Sequence, residues 1–483
     1  MKNIHNLNKD LSCDILIVGS GAGGSVAAKE LTSRGKDCIL LEEGSFFEMD
    51  HFNGSIKNSM LQAWRNSGFT PIVGNPSIAF GEGMCLGGGT FVNGGLIWRT
   101  PTNILKKWEK LIDGYTQNNL NDHFNLIEKN LEVKIENNQD NLNKDSQIIF
   151  DHAQKKNIKS LFVPRALKYC KRHNNCSTGC SSKGKLSVVE GYLSKVENDL
   201  RIFTNSKMIK IHAKNNKIDY VEVKNKKDNS IKLIKCNKLI LACGATQTPL
   251  LLNKSFGRDV GNINMKIHLN LRLGAKFKKN IYPEKGTIFT TQIQEYLYDG
   301  VIFMSSNINK SLFASSNLKM PTDELKSYFE NFDKMSNFVL QVKPESSVNM
   351  KNLFNFPILI FKLSDNDLEM IKKYLIYFSN FLFECGFEEI ILPFQKHYKF
   401  NSIKKVRERV NNVKKKELEM ISVHGMSSTP ISKEKNHFFN NDGQSRKFNN
   451  LYCVDASILP SNIGESPQGT IMAFAHEIVK RIN

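Results

Sequence analysis

Between Ile15 and Gly44 the chain reads ILIVGSGAGGSVAAKELTSRGKDCILLEEG. Four apolar residues, Ile15 to Val18, form a short buried-strand pattern that runs into Gly19-Ser20-Gly21-Ala22-Gly23-Gly24. Ser25 to Arg34 has helical composition and stops at Gly35. A second apolar run, Cys38 to Leu41, ends in Glu42. Strand, glycine turn, helix, strand and acid follow at the spacing of a dinucleotide-binding βαβ unit. Gly19 permits the tight turn out of the strand, Gly21 lets a pyrophosphate approach the backbone, and Gly24 lets the helix pack close on the sheet. The free N–H groups and positive dipole end of the helix favour phosphates. Glu42 stands about 20 residues beyond the glycines, where an acid accepts hydrogen bonds from ribose hydroxyls. A glycine triplet alone often marks only a turn, but the full context argues for a nucleotide. The pattern admits NAD or FAD.

The chain has 483 residues and is 40% hydrophobic, enough for two or three packed domains or one bilobal enzyme. A formal charge of +20 raises nucleic-acid or membrane binding as partners. The lysines are scattered among asparagines and isoleucines, with no dense basic run interleaved with aromatics, so a nucleic-acid partner is not expected. Ten cysteines in a chain this long are no disulfide scaffold, and Cys38, Cys243 and Cys453 read as small core hydrophobes. The polar opening MKNIHNLNKDLSCD carries no signal peptide, and no apolar run approaches the ~20 residues that span a bilayer. A soluble cytoplasmic protein is the expectation.

A second glycine-rich stretch, FGEGMCLGGGTFVNGGLIWRTP, spans Phe80 to Pro101. Leu86, Phe91, Val92, Leu96, Ile97 and Trp98 are interleaved in it, so a packed loop is expected rather than a linker. Residues 103–160 read as helical and polar. Cys170, Cys176 and Cys180 follow; their spacing is loose for a metal, with His173 as the sole nearby fourth candidate, and a structured loop over the nucleotide site is the expectation. From Leu200 the texture is β, with a buried strand from Lys238 to Cys243. Residues 285–345 give only a strand region with helical interruptions. Ile358 to Phe394 reads strand, helix (Asp365 to Cys385), strand. Lys404 to Met420 reads as one charged helix, leading to Ser422-Val423-His424-Gly425. NLYCVD, Asn450 to Asp455, is a strand. Ser466-Pro467 then opens a helix running to Ile482, with serine as N-cap and proline at the first helical position.

These segments together resemble the glucose–methanol–choline (GMC) family of FAD-dependent oxidoreductases. ILIVGSGAGGSVAAKEL…ILLEEG looks like its ADP-binding motif and CLGGGTFVNGG, Cys85 to Gly95, its second glycine motif. KLILACGATQTPLLL, Lys238 to Leu252, looks like its third segment, and NLYCVDASILPSNIGESPQGTIMAFA its C-terminal signature. GGGTFVN…RTP with NNCSTGC…GKLS is nearer the long-chain alcohol oxidase and bacterial dehydrogenase branch. The resemblance implies an α/β chain with a discontinuous Rossmann-type FAD domain (10–110, 186–270 and 430–483) and a sheet-rich substrate domain (111–185 and 271–429). It places the adenosine end of FAD at Gly19, Gly21, Gly24 and Glu42. Gly88, Gly89, Thr90, Asn93 and Gly94 would line the pyrophosphate and isoalloxazine, and Asp455, Ala456, Pro467 and Gln468 would close the pyrimidine end. No metal is implied.

The implied chemistry is oxidation of a small-molecule alcohol or sugar-like CH–OH group. The helix start at Ser466-Pro467 would stabilise negative charge at the N1–C2=O edge of reduced flavin. A histidine suits the hydroxyl proton, and His424 matches the position of the family's active-site histidine. It is the expected base, with hydride passing to flavin N5. The family has histidine or asparagine just before the helix-opening proline; this chain has Ser466, a poor proton acceptor that is expected at most to position substrate. Two competitors follow: an NAD-dependent dehydrogenase, which leaves the C-terminal signature unexplained, and a flavoprotein without alcohol oxidation, which Ser466 keeps open. The electron acceptor (oxygen, quinone or cytochrome) is not specified by these residues, nor is covalent attachment of flavin through His51 or Cys85.

Overall fold

Ile15–Val18 is buried on both faces, as a strand inside a parallel sheet must be, and it sits in the middle of one. The computed structural model describes residues 1–483 except 2, 137–141, 261–262, 307–308, 354–355 and 483, with backbone only at 258–259, 352–353 and 356–357. Strand Leu11–Val18 pairs in parallel with Cys38–Leu41 on one side and with Ile231–Leu241 on the other. Cys38–Leu41 continues the parallel run to Arg201–Phe203 and Ile4–His5. The far edge of Ile231–Leu241 is shared. Its first half pairs antiparallel with Lys217–Asn225, and Leu239–Leu241 pairs in parallel with Leu451–Cys453. Ser206–Lys214 completes this eight-stranded sheet. Helix Ala22–Thr32 lies against helix Gln468–Lys480, so the two ends of the described chain share one layer.

The second sheet has fourteen strands and is built largely from the middle of the chain. At its centre Leu269–Phe277 pairs antiparallel with Met335–Val342, which pairs with Val301–Ser305. Helix Asp365–Glu384, capped by the Ser364 side chain, covers one face; Phe378 stacks on Phe303 at 4.2 Å, and Phe303 on Phe338 at 5.5 Å. Side chains alternate along a strand, so the in-register row Arg272, Val339 and Met304 faces the other way, into the crevice between the sheets. The architecture is thus mixed α/β, a Rossmann-type sheet beside a sheet-rich lobe. No described helix is long and apolar enough to cross a membrane.

Three expectations need correction. Strands Thr70–Asn75, Ile78–Phe80 and Ile263–Ile267 belong to the second sheet, although they fall inside the ranges expected for the FAD domain. The charged helix ends at Asn411 instead of Met420. Val413 and Leu418 are both buried there, at positions that a continuous helix would turn to different faces. The helix expected from Pro467 runs Gln468–Lys480; Pro467 holds the N-cap position and no side chain caps it. Ser466 therefore does not cap, and the uncapped helix start lines the crevice.

Candidate active site

The crevice is a single cavity of about 950 Å³. Gly19 and Gly21 from the first turn line it with Glu42, joined by Gly88, Gly89, Thr90, Asn93 and Gly94 from the second glycine stretch. Asp455, Ala456, Ser466, Pro467 and Gln468 from the last segment complete that side, and His424 faces them. Gly24 is the expected residue that the cavity does not reach. A Cβ on it would sit 1.9 Å from the Gly19 carbonyl oxygen, so its task is the close packing of helix on strand. Gly19 itself has φ +100°, open to glycine and rarely to other residues. A Cβ on Gly21 would meet nothing within 4 Å, so the backbone there borders open space wide enough for a pyrophosphate.

Glu42 is enclosed. Its Oε2 accepts from Ser20 N at 3.1 Å and Ser20 Oγ at 2.6 Å, and its Oε1 from Gly44 N at 2.8 Å. Burial raises its pKa against those hydrogen bonds. A carboxylate has about four acceptor sites, so one remains for a ribose hydroxyl. Ser20 was not among the expected residues, yet its hydroxyl also accepts from Gly87 N at 3.0 Å and so ties the two glycine loops together.

The second loop is held from below by another residue that sequence reasoning missed. Lys185 is fully buried and its Nζ donates to the Phe91, Asn93 and Cys176 carbonyls, the latter two at 2.9 Å. Burial pulls its pKa down to about 8. This lysine anchors the cysteine loop, from which Ser177 and Thr178 reach the cavity. Asn93 then reaches across to Gln468 (Nδ2 to Oε1, 2.5 Å), joining that loop to the helix start. Asp455 is spent on structure: it accepts from Gly244 N at 2.9 Å, Thr248 Oγ at 2.5 Å and Ser457 N at 2.8 Å. Gly23 packs against the same segment, where a Cβ would lie 1.9 Å from the Val454 carbonyl oxygen. Cys85 is fully buried and His51 packs at a tilt against Phe47, both outside the cavity lining.

His424 lies between strands Met420–Ser422 and Gly425–Met426, half-buried in the cavity wall. Its Nδ1 is 3.1 Å from Nδ1 of His268, a fully buried residue that the sequence did not single out. The Gly464 N–H donates to His268 Nε2 at 3.1 Å. A neutral His268 accepting there carries its proton on Nδ1 and donates it to His424, which then holds its own proton on Nε2. Burial lowers both pKa values, that of His424 to about 4, so the pair is neutral at physiological pH.

Beside Gly464, the buried Glu465 accepts from Gln292, from Gln294 at 2.8 Å and from Ser466 N at 3.3 Å, yet burial prevails and raises its pKa to about 8. The folded protein keeps this proton up to about pH 8, whereas the unfolded chain loses it near 4.5. Between those values stability falls as pH rises, by up to about 1.4 kcal/mol per pH unit. Glu465→Gln is expected to flatten the pH dependence of the melting temperature over that window and to melt above the parent protein at pH 8. An unchanged slope would show that Glu465 ionises normally.

A crevice at the ends of parallel strands, with a phosphate-type glycine turn at one end and a histidine pair at the other, defines a nucleotide-dependent oxidoreductase. The chain matches the GMC oxidoreductase family over residues 13–271 and 355–475 and belongs to that family; it is an FAD-dependent oxidoreductase acting on CH–OH donors. It is 25% identical, over 99% of its length and 97% of the relative's, to an uncharacterised GMC-type oxidoreductase of Sinorhizobium fredii. It is 23% identical to a long-chain-alcohol oxidase of Arabidopsis thaliana, over 98% of this chain and 67% of that one. Among solved structures, pyridoxine 4-oxidase from Mesorbium loti superposes with a TM-score of 0.75 at 14% identity, covering 97% of this chain and 99% of the other. A formate oxidase superposes at 0.76 and 12% identity, covering 98% of each. Glu42, the open backbone at Gly21 and the uncapped helix start at Gln468 fit FAD.

Proposed function

We propose that this protein oxidises the CH–OH group of a small-molecule alcohol, with His424 accepting the hydroxyl proton through Nε2 and Ser466 orienting the oxygen. FAD, when bound, accepts the hydride from the carbinol carbon. Nδ1 of His424 is engaged by His268, which leaves Nε2 as the atom for substrate. A lone pair on Nε2 exists only in the tautomer that gives up the Gly464–His268 bond, a cost of about 1–3 kcal/mol. The role as base therefore carries a tautomer penalty that the sequence did not announce. The reading rests above all on the His424–His268 pair in the wall of the cavity that the glycine turns and the Gln468 helix start also line. The similarity to Arabidopsis long-chain-alcohol oxidases supports an alcohol substrate.

The test is anaerobic bleaching of the yellow holoenzyme by a panel of alcohols. A base must be neutral, and a pKa lowered to about 4 keeps His424 neutral above that value. The kcat/KM profile is thus expected to be flat through neutrality and to lose activity as pH falls towards 4, well below the ordinary imidazole value of 6.5. An acid limb near 6.5 would point to a different group, and a flavin that no alcohol bleaches would favour a flavoprotein without alcohol oxidation.

A further inference from the structure

Arg272 is a cation without an anion. It stands on strand Leu269–Phe277, at the centre of the second sheet, and lines the cavity. Its Nη1 donates to Ser316 Oγ. Its Nε is buried with no partner, its Nη2 makes no hydrogen bond, and it forms no ion pair with a carboxylate among the described residues. Arg65, which lines the same cavity, shows the usual arrangement, with Glu43 at 2.9 Å and Glu82 at 3.5 Å. Burial draws the pKa of Arg272 down to about 10, which leaves it charged at neutral pH. A half-buried guanidinium that borders the cavity with four of its five N–H donors unused is suited to an anion.

With Nη1 tied to Ser316 and Nε sealed beneath the cavity surface, Nη2 is the donor left for an anion. The row beside Arg272 is apolar, Val339 then Met304, and the next residue along its own face is Asn270. Four residues back lies His268, the partner of His424, roughly 13 Å away along extended chain before the reach of the side chain is counted.

We propose that Arg272 forms a carboxylate subsite and that the substrate is a hydroxy acid, with its alcohol at the His424 end and its carboxylate at Arg272. This rests on the alcohol-oxidation reading and names its substrate class. In the reaction the carbinol carbon loses a hydride to the flavin and its hydroxyl loses a proton, giving a carbonyl; the carboxylate is bound and unchanged. Holding both ends selects spacer length, which a neutral alcohol held by one end does not experience.

The experiment compares 10-hydroxydecanoate with 1,10-decanediol as reductants of the anaerobic holoenzyme, and measures binding of decanoate, which lacks a hydroxyl, by calorimetry. The parent enzyme is expected to prefer the hydroxy acid by about 100-fold in kcat/KM, with the preference collapsing towards unity in Arg272→Met and Arg272→Gln and partly kept in Arg272→Lys. Decanoate affinity is expected to fall by about 100-fold in the same two variants; two replacements guard against one that misfolds. Equal reduction by acid and diol, with decanoate binding unchanged in both variants, overturns the subsite and leaves alcohol oxidation standing. Arg272-dependent decanoate binding in an enzyme that no alcohol reduces upholds the subsite and removes the alcohol-oxidation reading.

Discussion

His424→Ala is expected to lower the rate of flavin reduction by substrate about 10³-fold while the protein stays yellow. General-base assistance is worth about 10²–10⁴-fold, and the loss here includes the oriented hydrogen bond to the substrate oxygen. Flavin retention should survive because the groups facing the nucleotide belong to other segments: Glu42, the glycine turns at 19–21 and 87–89, and the helix that starts at Gln468. The substitution also removes the hydrogen-bond partner of His268 and leaves that buried ring with only the Gly464 amide. A modest drop in melting temperature would accompany the kinetic loss, and stopped-flow absorbance under anaerobic conditions separates the two. Reduction within a few-fold of the parent rate would take His424 out of the reaction.

Gly21→Ala and Gly24→Ala are expected to fail in opposite ways, although the glycines lie three residues apart. The methyl group at position 21 enters free space, so the fold should persist and melt near the parent apoprotein. On the proposed reading that space takes the pyrophosphate, so FAD affinity should drop by about 100-fold, giving a folded and nearly colourless protein. At position 24 the methyl would come within 1.9 Å of a backbone oxygen that cannot swing aside. Relief requires lifting the helix off the sheet, a cost of about 3 kcal/mol or more against a total stability of order 5–15 kcal/mol. This variant should be largely insoluble or melt far below the parent. Circular dichroism melts with flavin titration decide the matter; a yellow Gly21→Ala, or a Gly24→Ala that melts normally, would refute the division of labour.

What the sequence disclosed follows from how local the signal is. The first βαβ unit is legible because strand, turn, helix and acid are consecutive and each residue type has its own steric or electrostatic reason. His424 and Ser466 could be singled out only by resemblance, since nothing in SVHG or GESP distinguishes them chemically. His268 was invisible because its partners, His424 and Gly464, are brought to it by other strands. Lys185 gave the opposite impression, a lysine in a polar loop, although it is fully buried; only three converging carbonyls make that position tolerable. Arg272 lies in a stretch that reads as β, and no local pattern tells an arginine that lacks a carboxylate partner from one that has it. The segment after Asn411 was misread because charged residues continue beyond the helix, while Val413 and Leu418, the residues that end it, are apolar and sparse.

The seam between Leu239–Leu241 and Leu451–Cys453, with Gly23 seated on Val454, also constrains the order of assembly. Its partners are more than 200 residues apart, and Gly23 and Val454 roughly 430 apart, so these contacts close large loops and form slowly. A chain still emerging from the ribosome has its first glycine turn long before it has the wall that completes the pocket. Until Leu451–Cys453 is synthesised the Leu239–Leu241 part of the edge of strand Ile231–Leu241 stays bare, a site for wrong strand pairing. Completion of the cofactor pocket is therefore expected among the last events of maturation.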